Sequence, residues 1–243
     1  MTKLSVNINK VATLRNTRSV GIPSVIHAAR LCLDAGAPGI TVHPRPDQRH
    51  IRPADVYELA ELLKKYPGAE FNIEGNPFVE YMQFAEKVRP TQCTLVPDSP
   101  EAATSDHGWD LPRESAKLGP VVQTLKKLGC RVSLFMDAKP ALMEHAAKLA
   151  VDRIELYTAP YAEDFATGKS DAANAYTAAA RRAAELGLGI NAGHDLNLLN
   201  LRPFMKAVPG VLEVSIGHAL IADALEFGLA ETVRKYLAAT GAS

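Results

Sequence analysis

Arg131-Val132-Ser133-Leu134-Phe135, followed by residues 140–150 and then by Arg153-Ile154-Glu155-Leu156, is the stretch on which the fold turns. A short β-rich run leads into a helical run that opens on Pro140, a residue suited to the first helical turn. A second short run follows at once. Runs this short and this apolar read as strands buried on both faces, the pattern of a parallel sheet rather than of a half-solvated one. The unit is β-α-β.

The same unit recurs in both directions. Further strands are expected at residues 4–8, 39–42, 70–73, 92–96, 187–191 and 212–216. Helices are expected at 22–35, 53–65, 77–88, 114–128, 170–186, 196–207 and 218–237. Pro23, Pro53 and Pro77 stand at first turns, and Gly36, Gly129 and Gly187 stand just past helix ends. Six such units would suit an open doubly wound sheet, whereas eight suit a closed one. The chain of 243 residues has the length of one (β/α)8 barrel and shows no linker or shift in composition. The reading is therefore α/β, a (β/α)8 TIM barrel, with residues 1–243 as a single catalytic domain. Residues 97–112 form the longest stretch without periodicity, a length typical of functional loops.

Charge and cysteine content narrow the partners. Lys plus Arg and Asp plus Glu number 27 each, so the net charge is zero. Nucleic acid or an anionic membrane would call for a basic excess, and neither is expected as a partner. Cys32, Cys93 and Cys130 lie far apart in apolar surroundings, which predicts reduced, buried thiols in a cytoplasmic protein. No signal peptide or membrane span is expected from the opening residues or from any later run.

In barrels of this type, chemistry sits at the C-terminal ends of the strands. The polar residues fall there: Asn7, Asn9 and Lys10 after strand one, His43 and Arg45 after strand two, and Glu74 after strand three. Asp137 follows strand five, strand six carries Glu155 and is followed by Thr158, and Gly193-His194 and Gly217-His218 end strands seven and eight. His43, Glu74 and His194 can move protons near neutral pH once burial or neighbours tune them. Lys10, Arg18, Arg45 and Arg49 are the available cations for phosphate. Gly193 and Gly217 could offer bare N–H groups at the starts of the helices that follow strands seven and eight.

Each residue has a plainer reading. His43 could lie in a solvated loop, Glu74 in a core salt bridge, and Glu155 could hold the barrel together through an Arg. His194 could cap a helix or bond a carbonyl, and Asp137 is expected to cap the helix after it. His43, Glu74 and His194 could also ligate a metal. However, the strand position where barrel metallohydrolases carry His-x-His reads His43-Pro44-Arg45, and Arg cannot ligate. A Schiff-base aldolase would need Lys10 or Lys139 at a strand end. No Gly-x-Gly-x-x-Gly or Walker motif is present, so no nucleotide cofactor is expected.

Several stretches then resemble one family, pyridoxine 5'-phosphate synthase. They are Val6-Asn7-Ile8-Asn9-Lys10-Val11-Ala12-Thr13-Leu14-Arg15-Asn16, Gly39-Ile40-Thr41-Val42-His43-Pro44-Arg45 with Arg49-His50-Ile51, and Asn72-Ile73-Glu74. Leu95-Val96-Pro97, Val132-Ser133-Leu134-Phe135, Asn191-Ala192-Gly193-His194 and Ile216-Gly217-His218-Ala219 continue the series in order, over nearly the whole chain. The resemblance implies a (β/α)8 barrel with extra short helices, a homo-octamer, and no metal or organic cofactor. It implies condensation of 3-amino-2-oxopropyl phosphate with 1-deoxy-D-xylulose 5-phosphate to give pyridoxine 5'-phosphate, phosphate and water. His43 and Glu74 would accept protons, His194 would donate one, and Glu155 would stabilise the transition state. Asn7, Arg18, Gly217 and His218 would hold the aminoketone phosphate, and Arg45, His50 and Thr104 the deoxyxylulose phosphate. Two departures stand out. Many members carry Asp-His where this chain has Asn9-Lys10, and Gly where it has Asp195. Asn9, Lys10 and Asp195 are kept as expected substrate contacts, with the Asp195 carboxylate turned away from the phosphate or capping the next helix.

Overall fold

Alternation within each strand shapes the barrel. In the computed structural model, which describes residues 1–78, 80–99 and 104–241, the strands are β1 (Lys3–Asn7), β2 (Gly39–Val42), β3 (Glu70–Gly75), β4 (Gln92–Leu95), β5 (Arg131–Met136), β6 (Arg153–Tyr157), β7 (Gly189–Gly193) and β8 (Val211–Ile216). They pair in parallel, in sequence order, and β8 closes back on β1, with Val6 opposite both Ile40 and Ile216. Within each strand one set of residues is apolar: Leu4 and Val6, Ile40 and Val42, Val132 and Leu134, Val214 and Ile216 are buried in the hydrophobic core. The alternate set is polar and fills the lumen. At its N-terminal end Gln92 Nε2 donates to Glu213 Oε1 at 3.1 Å across the barrel, and Arg131 Nε donates to Gln92 Oε1 at 2.7 Å. Arg131 also pairs with Glu70, and Arg153 donates to Asn191 Oδ1 at 3.0 Å. One layer up, Asn72 donates to Thr41 at 3.2 Å and accepts from Thr94 at 3.0 Å, while Ser5 and Thr41 hydroxyls lie 2.6 Å apart. Lumen groups that satisfy one another in this way carry little desolvation penalty.

Helices cover the outside: α1 (Asn9–Asn16), α2 (Val25–Asp34), α3 (Pro53–Leu63), α4 (Tyr81–Val88), α5 (Leu111–Lys127), α6 (Met143–Lys148), α7 (Ala159–Ala166), α8 (Asn174–Glu185), α9 (Leu201–Ala207), α10 (His218–Phe227) and α11 (Leu229–Ala239). Among the described residues no helix is long and apolar enough to cross a membrane. All three cysteines are buried, and burial pushes the Cys32 thiol up to about 12.

Several boundaries differ from the sequence reading, for local reasons. Pro23 does not open a helical turn. Ser24 caps α2 by accepting from His27 N at 3.2 Å, so the helix begins at Val25. The helix expected from residue 77 begins only at Tyr81. Residues 140–142 form a 3-10 turn ahead of α6. Residues 196–200 are not helical, because Asn197 Oδ1 accepts from the N–H groups of Leu199 and Asn200 and so holds a turn. The helix expected over 218–237 breaks at Gly228, whose φ of 76° belongs to the left-handed region. Two short helices, α1 and α7, went unseen by periodicity. Asp137 caps nothing; its Oδ1 accepts from Gly108 N at 2.9 Å.

That last contact fixes the loop between β4 and α5. A Cβ on Gly108 would lie 2.3 Å from Asp137 N and 2.6 Å from Met136 C, so only glycine lets the loop press against β5. The next residue, Trp109, is buried and donates to Leu95 O at 2.8 Å. Gly108→Ala is expected to lower stability by about 1–3 kcal/mol, the range for overpacking. Denaturant midpoints measure it, and an unchanged midpoint would defeat the account.

Candidate active site

The lumen opens at its C-terminal end into a cavity of about 450 Å³, within the usual range for small-molecule sites. Its walls take residues from both ends of the sequence: Asn7, Asn9, Lys10, His43, Arg45, His50, Glu74, Thr104, Glu155, His194, Asp195, Gly217 and His218 all line it. Of the expected site residues only Arg18 is not brought there. It stands exposed on the loop after α1.

On one side, His43, Glu74 and Asp98 form a buried line. His43 Nδ1 lies 4.0 Å from Glu74 Oε2, and Nε2 lies 3.6 Å from Asp98 Oδ2. Burial, and after it the Arg45 charge, holds the His43 imidazole well below the usual histidine range. Among the described residues Glu74 sits in no salt bridge with Arg or Lys. Its Oε1 accepts from Asn72 Nδ2 and Ser215 Oγ, each at 3.3 Å. Burial pushes its carboxyl up to about 8. Burial thus favours the neutral form of both groups, an imidazole that can accept a proton beside a carboxyl that can give one. Asn9 has a supporting task, its Oδ1 accepting from His43 N at 3.0 Å.

Glu155 also lacks an Arg partner, because Arg153 turns to Asn191 and Glu213 instead. The core-salt-bridge reading of Glu155 is thus replaced by a buried carboxyl whose Oε2 has no hydrogen-bond partner among the described residues. Burial, then the charges of Glu74 and Glu213, raises it well above the ordinary carboxylate range. Gly193 makes room for it: a Cβ there would lie 2.4 Å from Glu155 Oε1.

On the opposite side stands His194. It and Asp195 both take positive φ, 86° and 59°, which is unusual for consecutive non-glycine residues. Thr158 Oγ1 holds this turn, donating to Gly193 O at 2.7 Å and His194 O at 2.5 Å. The imidazole reaches Thr104 Oγ1 through Nε2 at 3.0 Å and packs edge-on to Tyr157. Its Nδ1 lies 3.1 Å from Asp195 Oδ2, close enough for charge attraction but without hydrogen-bond alignment. His194 caps no helix. Asp195 caps none either; its carboxylate faces His194, which holds it below the usual range, and Asn200 precedes α9.

The groups suited to phosphate divide between the strand ends. Gly217 directly precedes α10 and offers the N–H end of that helix. A Cβ on Gly217 would lie 3.1 Å from Asn7 Cβ, so the missing side chain lets this end approach β1. Gly193 has no such position, because it ends β7 and α9 opens only at Leu201. Arg45 is buried and ion-paired with Asp98. The His50 ring is inclined 66° to that of His43, ring centroids 6.2 Å apart, and burial pushes it down to about 4. Lys139 pairs with Asp137 outside the cavity.

Sequence reasoning missed Asp98 and Ser105. Strand four was the one whose end received no polar assignment, although Asp98 follows Val96-Pro97 directly. Among the described residues, no group of three or more His, Cys, Asp or Glu side chains is placed to hold a metal ion.

Comparison with known proteins bears on the fold and the family. Two solved structures share the fold at low identity: an Aquifex aeolicus VF5 protein (TM-score 0.66, 14% identical, 98% of this chain and 92% of that one) and 3-keto-L-gulonate-6-phosphate decarboxylase from Vibrio cholerae (TM-score 0.62, 9% identical, 97% and 98%). Curated relatives are far closer. Pyridoxine 5'-phosphate synthase of Albidiferax ferrireducens is 57% identical over 242 residues, covering 97% of this chain and 96% of that one. The Xanthomonas campestris pv. campestris protein of the same name is 56% identical over 245 residues, covering 98% and 95%. The family model described as pyridoxal phosphate biosynthesis protein PdxJ matches residues 4–242, and with it the chain belongs to that family.

Proposed function

We propose that the chain is a pyridoxine 5'-phosphate synthase, condensing 3-amino-2-oxopropyl phosphate with 1-deoxy-D-xylulose 5-phosphate and closing the pyridine ring with release of phosphate and water. The observation that carries this reading is the meeting of His43, Glu74 and His194 around one cavity, with phosphate-binding groups on both flanks. Amine attack on a ketone, dehydration, phosphate loss and ring closure each move a proton, and three tunable groups can act in turn. His43, whose burial favours the neutral imidazole, accepts first. Glu74 enters with its proton and becomes an acceptor only after giving it up. His194, on the far wall, donates to a leaving oxygen. Glu155 supplies a buried carboxyl against developing charge.

The aminoketone phosphate would lie on Gly217 and His218 at the start of α10, beside Asn7. The deoxyxylulose phosphate would lie with Arg45, His50 and Thr104. Lys10, in the first turn of α1, is near enough to help hold the Asp195 carboxyl down and adds a further cation. The barrel acts as one catalytic domain without a metal or organic cofactor. It works in the cytoplasm and assembles as a homo-oligomer, an octamer as in its family. The exposed Leu14, Val20, Ile22 and Leu225 side chains support assembly.

Purified, chelator-treated protein given both substrates is expected to release phosphate and form pyridoxine 5'-phosphate in equal amounts. Folded protein that forms neither would remove this reading.

A further inference from the structure

Asp98 has been given no role in the chemistry, yet it touches three groups at the site. Its Oδ2 pairs with Arg45, accepts from Ser105 Oγ at 2.9 Å and lies 3.6 Å from His43 Nε2. Its Oδ1 is buried with no hydrogen-bond partner among the described residues. Its backbone is anchored, since Asn76 Nδ2 donates to Asp98 O at 2.9 Å. A purely structural ion pair would be expected to saturate both oxygens, because a buried carboxylate left half-satisfied is destabilising. Asp98 keeps one oxygen in reserve and points the other at two groups that the reaction needs. His43 is faced by Glu74 from β3, by Arg45, Arg49 and His50 from its own loop, and by Asp98 after β4.

An Arg paired to a carboxylate is not fully available to a phosphate. Two anions on one guanidinium repel each other, and in a buried site that repulsion is weakly screened. We propose that Asp98 is a positioning residue that holds Arg45 until substrate binds, yields it to a substrate phosphate, and then serves His43 Nε2 as counter-charge when that imidazole takes up a proton. Substrate binding and base strength are thereby linked: the anion that frees Asp98 from Arg45 hands its charge to the base. This rests on the reading of Arg45 as a phosphate ligand.

The test uses the full chain, with inorganic phosphate titrated by calorimetry and turnover measured at varied 1-deoxy-D-xylulose 5-phosphate. Asp98→Asn removes the competing charge. It is expected to bind phosphate about tenfold more tightly, as when a closed fraction of sites is opened, and to lower KM. The same variant is expected to lose at least about tenfold in kcat, because His43 has lost its counter-charge. A merely structural role would raise KM and weaken phosphate binding together. Asp98→Glu, which keeps the charge, is expected to restore the wild-type phosphate affinity. Arg45→Gln separates the two ideas. If it leaves phosphate binding unchanged, Arg45 is no phosphate ligand, and the reading and this proposal fall together. If it weakens binding while Asp98→Asn does not tighten it, only the exchange falls. A structure of the unaltered protein with inorganic phosphate needs no variant: phosphate on Arg45 with the Asp98 pair broken is expected, and phosphate on Arg45 with that pair intact overturns the exchange.

Discussion

Glu74→Gln is expected to lose about 10²- to 10⁴-fold in turnover, the usual contribution of a positioned acid or base, and yet to melt above the wild type in alkaline buffer. The two effects share one cause. Burial raises the Glu74 carboxyl from its ordinary 4.5 to about 8, so the folded protein keeps a proton that the unfolded chain releases. Between those values the folded state binds more protons, and stability falls as pH rises. Below 4.5 both states are protonated and the burden vanishes; above 8 it is complete. Gln keeps the shape and the hydrogen bonds to Asn72 and Ser215 but cannot ionise. The melting advantage of the variant should therefore grow from pH 4.5 to 8 and level off beyond. Equal melting temperatures at pH 5 and pH 9 would show that Glu74 is not held protonated. Retained turnover would remove it from the chemistry.

Much of this site was legible because barrel strands speak with period two. Ser5 and Asn7, Thr41 and His43, Asn72 and Glu74, Arg153 and Glu155, Glu213 and Ser215 are pairs one lumen layer apart, and in each the second residue reaches the cavity. Reading the strands simply as apolar found their number but passed over this ladder, which also carries the Gln92–Glu213 and Arg131–Glu70 contacts that plug the far end. The ends of helices were less legible. Pro23 looks like a first-turn proline in sequence, and only the Ser24 cap shows otherwise. The α9 start differs because Leu196 and Leu198 continue an apolar pattern, while the reciprocal Asn197–Asn200 side-chain bonds that stop the helix are a local competitor that hydrophobic periodicity does not register. Arg18 was carried over by motif alone, and nothing in its own surroundings draws it to the cavity. The pairing of Arg45 with Asp98 joins residues on different strand ends, a distance no local pattern encodes.

His43 is expected to remain neutral as pH falls through 6.5, and His43→Ala to lose about 10²- to 10⁴-fold in kcat/KM. The ring is buried, and Arg45, His50 and Arg49 all oppose a positive charge on it, so its ordinary value of 6.5 is displaced well downward. Nitrogen-15 shifts of the labelled imidazole measure this directly. A titration centred at 6.5 would sink the idea, whereas Arg45→Gln, by removing the largest of the neighbouring charges, should move the midpoint upward. Linkage gives the stability sign. Below 6.5 the unfolded chain takes a proton on this residue that the folded protein refuses, so His43 lowers stability as pH falls through that value. Glu74 lowers it as pH rises from 4.5 towards 8. The two groups act on the folded enzyme from opposite sides: between about pH 4.5 and 6.5 their pH slopes oppose each other, and near 6.5 the base is already unprotonated while the acid still holds its proton. The site is paired for proton transfer at the pH where it burdens the fold from both directions, so a double variant His43→Ala/Glu74→Gln should show a flatter stability profile between pH 4.5 and 8 than either single change.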